Sequence, residues 1–198
     1  MDNNIAIIDN FDSFTFNIVH LLKQVSSAKI SVQRNNAIDG TILDSASHII
    51  FSPGPGVPKD AGKMMAIIDR YKNRTPMLGV CLGHQALAEY FGGALQQLHQ
   101  VHHGIRCPIL FPKERPLFFN HVPQGSFVGR YHSWAVDELQ LPDTLRIIAR
   151  DEQGTILAIQ HQHLPIVGVQ FHPESILTEY GEMMLQNFLS MKGVNVCS

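Results

Sequence analysis

Four short strand-like runs punctuate the first half of this chain, and the stretches beside them carry apolar residues at helical spacing. The runs are "NIAIID", "KISVQRN", "SHIIFS" and "PMLGV", rich in β-branched residues and bounded by turn residues. "SFTFNIVHLLKQV", "AGKMMAIIDRYKN" and "GHQALAEYFGG" have the helical period, the last closing at paired glycines. Alternation of this kind predicts an α/β fold: a three-layer sandwich around a mainly parallel, mixed central sheet with helices on both faces. After Gly93 the pattern changes. "LRIIARD", "TILAIQHQ" and "IVGVQFH" read as strands added antiparallel to the sheet, and "EYGEMMLQNFLSM" as a closing amphipathic helix. No repeat or low-complexity linker interrupts the 198 residues, which read as one domain, 1–198.

The bulk chemistry narrows the function classes. Net charge is -2 with no basic cluster, which disfavours nucleic-acid binding. No apolar run approaches the roughly 20 residues of a membrane helix, and the acidic "MDNNIAIIDN" does not read as a signal peptide. The three cysteines, Cys81, Cys107 and Cys197, are too scattered for a disulfide framework, so a reducing cytoplasm is the expected compartment.

The chemistry concentrates where "PMLGV" turns into "GHQALAEYFGG". Cys81 lies between Gly79 and Gly83, a G-x-C-x-G pattern matching a strand-to-helix elbow that lifts a nucleophile out of a sheet. A sulfur at a helix N-terminus is also favoured as thiolate. The elbow alone leaves two readings open, a nucleophile or a small packed thiol. His172 closes the strand-like "GVQFH", and Glu174 follows two residues on, where a strand would present both to one side. Glu174 could then orient His172 toward a thiol, or merely begin the final helix. The loop "SPGPGVP", Ser52 to Pro58, could aim a backbone amide at an oxyanion together with the Leu82 N–H, or be an ordinary turn.

Taken together and in this order, "SPGPGVP", "GVCLGHQALAEYFGG" and "GVQFHPES" resemble the three signatures of the class I (triad) glutamine amidotransferases. "IIDNFDSFTFNI" and "RYHS" are further similar to the glutaminase subunits of anthranilate synthase and of 4-amino-4-deoxychorismate synthase. The similarity runs from Asp9 to about Leu189. It implies that Cys81 attacks the side-chain amide of L-glutamine, that His172 is general base and acid, and that Glu174 orients His172. It further implies an oxyanion hole from the Gly56 and Leu82 N–H groups. The glutamine pocket would be formed by Gly54, Pro55, Gly56, Gln85, Ser133 and Trp134. Ammonia would pass to a larger chorismate-binding synthase subunit, serving the tryptophan or the folate route. The resemblance places no cofactor or metal in this chain, Mg2+ belonging to the partner. Two positions depart from the pattern: Ile105 stands where relatives show lysine, and Trp134 where a smaller aliphatic residue is usual.

Other readings were open to the same residues. His99, His102 and His103 near Cys107 suit zinc by type but lack paired spacing, so a solvated or partner-facing loop is expected. His161 and His163 read as the exposed face of an edge hairpin. Asp12 or Ser13 reads as the N-cap of the first helix. A triad amidotransferase serving a nucleotide or carbamoyl-phosphate synthase, or a binding subunit that keeps the fold without the chemistry, are the functional alternatives.

Overall fold

The computed structural model describes residues 4–98 and 103–193. A seven-stranded sheet forms its centre. In chain order the elements are β1 (Asn4–Asp9), α1 (Thr15–Val25), β2 (Lys29–Arg34), α2 (Gly40–Asp44), β3 (His48–Phe51), α3 (Met64–Tyr71), β4 (Met77–Val80) and α4 (Leu82–Tyr90). Then follow β5 (Leu95–Gln97), β6 (Ile105–Pro108), β7 (Phe127–Arg130), β8 (Trp134–Val136), β9 (Leu145–Arg150), β10 (Ile156–His161), β11 (Ile166–Val169) and α5 (Gly181–Leu189). The sheet order is β2-β1-β3-β4-β11-β10-β9, parallel as far as β11 and antiparallel beyond it. The expected fold class is therefore found, with one correction. β11 is not an antiparallel addition but pairs parallel with β4, because its apolar Ile166–Val169 run is buried on both faces. Among the described residues no helix is long and apolar enough to cross a membrane.

Strand alternation sorts the core into two layers. Ile5 and Ile7, Ile50, Leu78 and Val80, and Val167 and Val169 pack with Ile18 and Leu22 of α1 and Met184, Leu185 and Phe188 of α5. Ala6 and Ile8, Ile49 and Phe51, Met77 and Ile166 face the other way, onto α3 and α4. On this second face α4 sits unusually close to the sheet. A Cβ on Gly79 would lie 2.4 Å from the Gly83 carbonyl group, and one on Gly83 would lie 2.5 Å from the Phe51 oxygen. A Cβ on Gly168 would meet His84 Nδ1 at 2.7 Å. Glycine is required at all three because backbone packs against backbone or ring where a methyl group has no room.

Two small ribbons complete the molecule. β5 pairs antiparallel with β8, and β6 with β7. Val136 of β8 packs with Ala88 of α4 and with Leu145, Ile156 and Ile159, so α4 is covered from outside as well as from the sheet. The expected edge hairpin at "IQHQH" is corrected. β10 lies inside the sheet, and His161 is buried against Phe91 with its Nδ1 accepting the His163 and Leu164 N–H groups, each at 3.0 Å, whereas His163 is exposed as expected.

The glycine contacts make a stability prediction. Gly83→Ala should destabilise by about 2 to 4 kcal/mol, because overpacking against backbone cannot be relieved by a rotamer change. Gly40→Ala, at a position with open space around it, should lie within about 1 kcal/mol of wild type. Urea unfolding of both variants checks the contrast; equal midpoints would refute the close-packing account.

Candidate active site

The close approach of α4 leaves the chain little distance in which to turn from β4. Cys81 makes that turn with φ 52° and ψ -100°, a conformation that a non-glycine side chain adopts only under local constraint. Its N–H donates to the Val169 carbonyl at 2.8 Å and its carbonyl accepts from Gln85 N at 3.0 Å, so both sides of the elbow are tied down. Leu82 is the first residue of α4, where the N–H has no helical partner.

His172 and Glu174 meet as anticipated, with Nδ1 and Oε1 2.8 Å apart, but not by strand geometry. β11 ends at Val169, and the two residues lie in the turns after it. Nor does Glu174 begin α5, which starts seven residues later at Gly181. The turn is held from three sides. His172 N donates to the Gly129 carbonyl of β7 at 3.0 Å, and Thr178 Oγ1 bridges the His172 carbonyl (2.6 Å) and the Gly129 N–H (3.0 Å). Beneath it, a Cβ on Gly181 would lie 2.0 Å from the Pro173 oxygen, so the start of α5 presses directly on the loop. The imidazole is clasped edge-on by Phe14 and Tyr131, with centroids 5.2 and 4.9 Å away.

Burial alone would lower the proton affinity of His172, but the Cys81 sulfur and the Glu174 carboxylate outweigh it and raise the pKa to about 10. His172 Nε2 is buried without a conventional hydrogen-bond partner among the described residues, and it faces the Cys81 sulfur. That looser contact is common before substrate is bound. By contrast His84, fully buried against Gly168, is pushed down to about 3 by desolvation, only partly offset by a backbone contact, and is a neutral spacer.

The "SPGPG" loop lies across the elbow. Gly54 is wedged between two neighbours, since a Cβ there would stand 2.6 Å from Asn10 Cβ and 2.7 Å from Leu82 Cδ2. Asn10 fastens the loop: its Nδ2 donates to the Ser52 carbonyl at 2.8 Å, its N–H to Ser52 Oγ at 2.9 Å, and its Oδ1 accepts from Asn35 at 3.0 Å. Gly56 follows with φ 77°. Gly54, Pro55, Gly56, Gln85, Ser133 and Trp134 line, with Cys81, one cavity of about 210 Å³, closed also by His103, Tyr131 and His132. A larger groove of about 820 Å³ runs on the other side of Glu174, between α1 and α5, and no cysteine lines it among the described residues.

The sequence reading missed several of these parts. Asn10 gave no signal beyond its place in "DNFDSF". The Asp12 expectation is corrected: its Oδ1 accepts from Phe14 N at 2.7 Å within the turn, and Phe14, not Asp12 or Ser13, occupies the N-cap of α1. Gln170, fully buried, places Nε2 3.6 Å from Cys81 Sγ. His132 bonds the Trp134 carbonyl at 2.8 Å and accepts from the buried Arg130, whose guanidinium pairs with Asp151. Of the histidine group weighed for zinc, His99 and His102 lie outside the described residues, and Cys107 sits in β6 beside Arg130. Among the described residues no three metal-ligating side chains converge.

Comparison with known proteins agrees with this geometry. Residues 6–191 match the model of the glutamine amidotransferase class-I family. The chain belongs to that family. It is 41% identical to the anthranilate synthase component 2 of Lactococcus lactis, over 96% of either chain. It is 40% identical to the aminodeoxychorismate synthase component 2 of Klebsiella aerogenes, over 94% of this chain and 99% of the relative. The crystal structure of a glutamine amidotransferase from Thermotoga maritima superposes with a TM-score of 0.78 at 15% identity, covering 96% of this chain and 97% of that one, which shows the shared fold. The family membership agrees with the resemblance read from the three signatures.

The raised His172 has a signed consequence. A histidine whose folded pKa lies above its unfolded value stabilises fully below about pH 6.5, and that contribution is lost as pH rises through about 10. Wild type should therefore lose, on alkalinisation across that window, its stability advantage over Glu174→Gln. Imidazole NMR titration should find the His172 pKa lowered in both Glu174→Gln and Cys81→Ala. An unchanged titration in both variants would show that neither anion governs the proton.

Proposed function

We propose that this chain is the glutaminase component of a chorismate-utilising synthase, hydrolysing L-glutamine at Cys81 and delivering the ammonia to a larger subunit. One observation carries the reading. The positive-φ cysteine, facing a buried His172–Glu174 pair, forms a wall of a pocket whose volume suits an amino acid better than the ~300 Å³ and upward of drug-sized sites.

In this reading the Cys81 thiolate attacks the glutamine amide carbon, and the tetrahedral oxyanion is met by the Leu82 and Gly56 N–H groups. The protonated His172 gives its proton to the departing nitrogen, releasing ammonia and leaving a γ-glutamyl thioester. His172, now neutral, takes the proton of the water that frees glutamate, and the sulfur leaves as thiolate, restoring the starting pair. Glu174 holds Nδ1 throughout. Gly54, Pro55, Gln85 and the backbone at Ser133 and Trp134 position the amino-acid end of glutamine. No step requires a metal or cofactor in this chain, and Mg2+ is assigned to the partner.

The partner reading draws support from the surface. Ile176 is 99% and Phe16 66% exposed, and Ile176 and Tyr180 border the groove behind Glu174 together with His20 and Leu21. Apolar side chains so exposed beside a catalytic loop suit coverage by a second subunit. The product route has two readings of nearly equal support, because relatives named for anthranilate and for aminodeoxychorismate synthesis are equally similar. We favour anthranilate, with folate or dual use as the alternative.

The test is glutamate release from glutamine with and without the larger subunit, with the aromatic product analysed in the same reaction. Partner-stimulated release is expected, falling by about 10³-fold or more in Cys81→Ser. Anthranilate as product assigns the tryptophan route, and aminodeoxychorismate the folate route. No glutamate under either condition would overturn the reading in favour of a binding subunit.

A further inference from the structure

The side chain that reaches the nucleophile from the sheet is that of Gln170, which the mechanism above does not use. Gln170 directly follows β11, is fully buried, and has its backbone N–H committed to the Leu157 carbonyl at 2.8 Å. A primary amide in such a place must find partners for both its ends. One end lies 3.6 Å from Cys81 Sγ and the other 3.2 Å from the side-chain amide of Gln85.

Which end faces the sulfur follows from a backbone atom. An amide's oxygen and nitrogen can be exchanged without changing its outline, so the network must fix them. The Trp134 carbonyl can only accept, and the Gln85 amide lies 3.0 Å from it, which places Nε2 of Gln85 there. The second hydrogen of that nitrogen points at Gln170, which must answer with Oε1. Gln170 therefore turns Nε2–H toward the sulfur. The other side of the Trp134 oxygen is equally determined. Arg130 can only donate, so His132 Nε2 accepts from it at 3.0 Å, and the proton of His132 sits on Nδ1, 2.8 Å from the same carbonyl.

We infer that Gln170 is a catalytic residue, donating Nε2–H to the Cys81 sulfur and stabilising its thiolate, and that Gln85 orients this donor. The inference rests on the reading of Cys81 as nucleophile and deepens it. A hydrogen bond to an ionised acceptor is about twice as strong as one to a neutral acceptor, so the donor favours thiolate over thiol before attack. It acts again when the thioester breaks and the sulfur departs with the electron pair. Gln85 then has two duties, since it also lines the cavity, and the pocket rim is hydrogen-bonded through it to the nucleophile.

Iodoacetamide alkylation of Cys81, followed across pH by peptide mass spectrometry, tests the donor without glutamine or a partner subunit. The titratable groups around the sulfur are His172 with Glu174 behind it, His103, Tyr131 and His132 across the pocket, and His84 on α4; the variants leave all of them in place. Gln170→Met keeps the volume and removes the donor, and the alkylation midpoint should rise by about one pH unit. Gln85→Met keeps Gln170 but removes what orients it, and the midpoint should rise by less. Alkylation of Cys107, half-buried in β6, reports in the same sample whether the fold is intact. A space-filling Gln170 would leave the midpoint unmoved, and an unmoved midpoint in the folded variants overturns the inference. If Gln170→Met does not fold, Gln85→Met decides by the same criterion. Glutamine hydrolysis by the wild type is measured separately: a wild type that releases no glutamate counts against the proposed function, while the midpoint shift still upholds the donor.

Discussion

The contact on which the site depends is the close packing of α4 against the sheet, backbone to backbone at β3 and β4 and through the His84 ring at β11. Gly79, Gly83 and Gly168 remove the three Cβ atoms that would hold the helix off the sheet. With the helix this close, a chain leaving β4 must reverse its direction within one residue, and that residue takes positive φ. The strain at Cys81 is thus a consequence of helix placement, and the apolar burial of Ala86, Leu87 and Ala88 offsets the roughly 1–3 kcal/mol such a conformation costs. The same geometry places Leu82 at the first position of α4, where its N–H has no helical partner.

The histidine side of the site is built differently. His172 is not carried by a strand or a helix but by a loop, and loops are ordinarily mobile. Here three separate elements remove that freedom: Gly129 of β7 exchanges hydrogen bonds with the loop on one side, Gly181 of α5 presses on Pro173 from another, and Phe14 and Tyr131 clasp the ring. A rigid elbow meets a braced loop, so the thiol and imidazole are held by independent parts of the fold. The Asn10–Ser52 bonds do the same for the glycine loop over the elbow.

What the sequence disclosed follows from this division. β1 to β4 were legible as short runs rich in β-branched or apolar residues between turns, and α1, α3 and α4 by helical spacing of apolar residues, all local properties of the chain. The Cys81 elbow was legible because its glycines are near in sequence. β5 to β8 were not, since they are three or four residues long and paired only across long range, as Leu95 with Val136 and Ile105 with Arg130. The His172–Glu174 contact was found through strand reasoning that the turn does not obey, because any two residues at that spacing can meet in a tight turn as well. Gln170 and Asn10 were silent: an isolated amide in an apolar context carries no pattern, and only its neighbours in space say what it holds.

The buried Arg130–Asp151 pair shows why such silent residues matter. Both side chains are within 3% of full burial, where desolvation offsets most of the attraction between them. Asp151 is further satisfied by the Gln153 and Thr155 N–H groups at 3.0 and 2.8 Å, which makes the pair tolerable without making it a large source of stability. An apolar pair of equal volume would serve the core as well. What it could not do is donate to Nε2 of His132, the ring whose Nδ1 lies 2.8 Å from the Trp134 carbonyl. That carbonyl also accepts from the Gln85 amide at 3.0 Å. The charge pair is the fixed end of a chain of directional bonds that runs through His132 to the backbone carbonyl orienting Gln85 and, through it, the Gln170 amide beside the Cys81 sulfur.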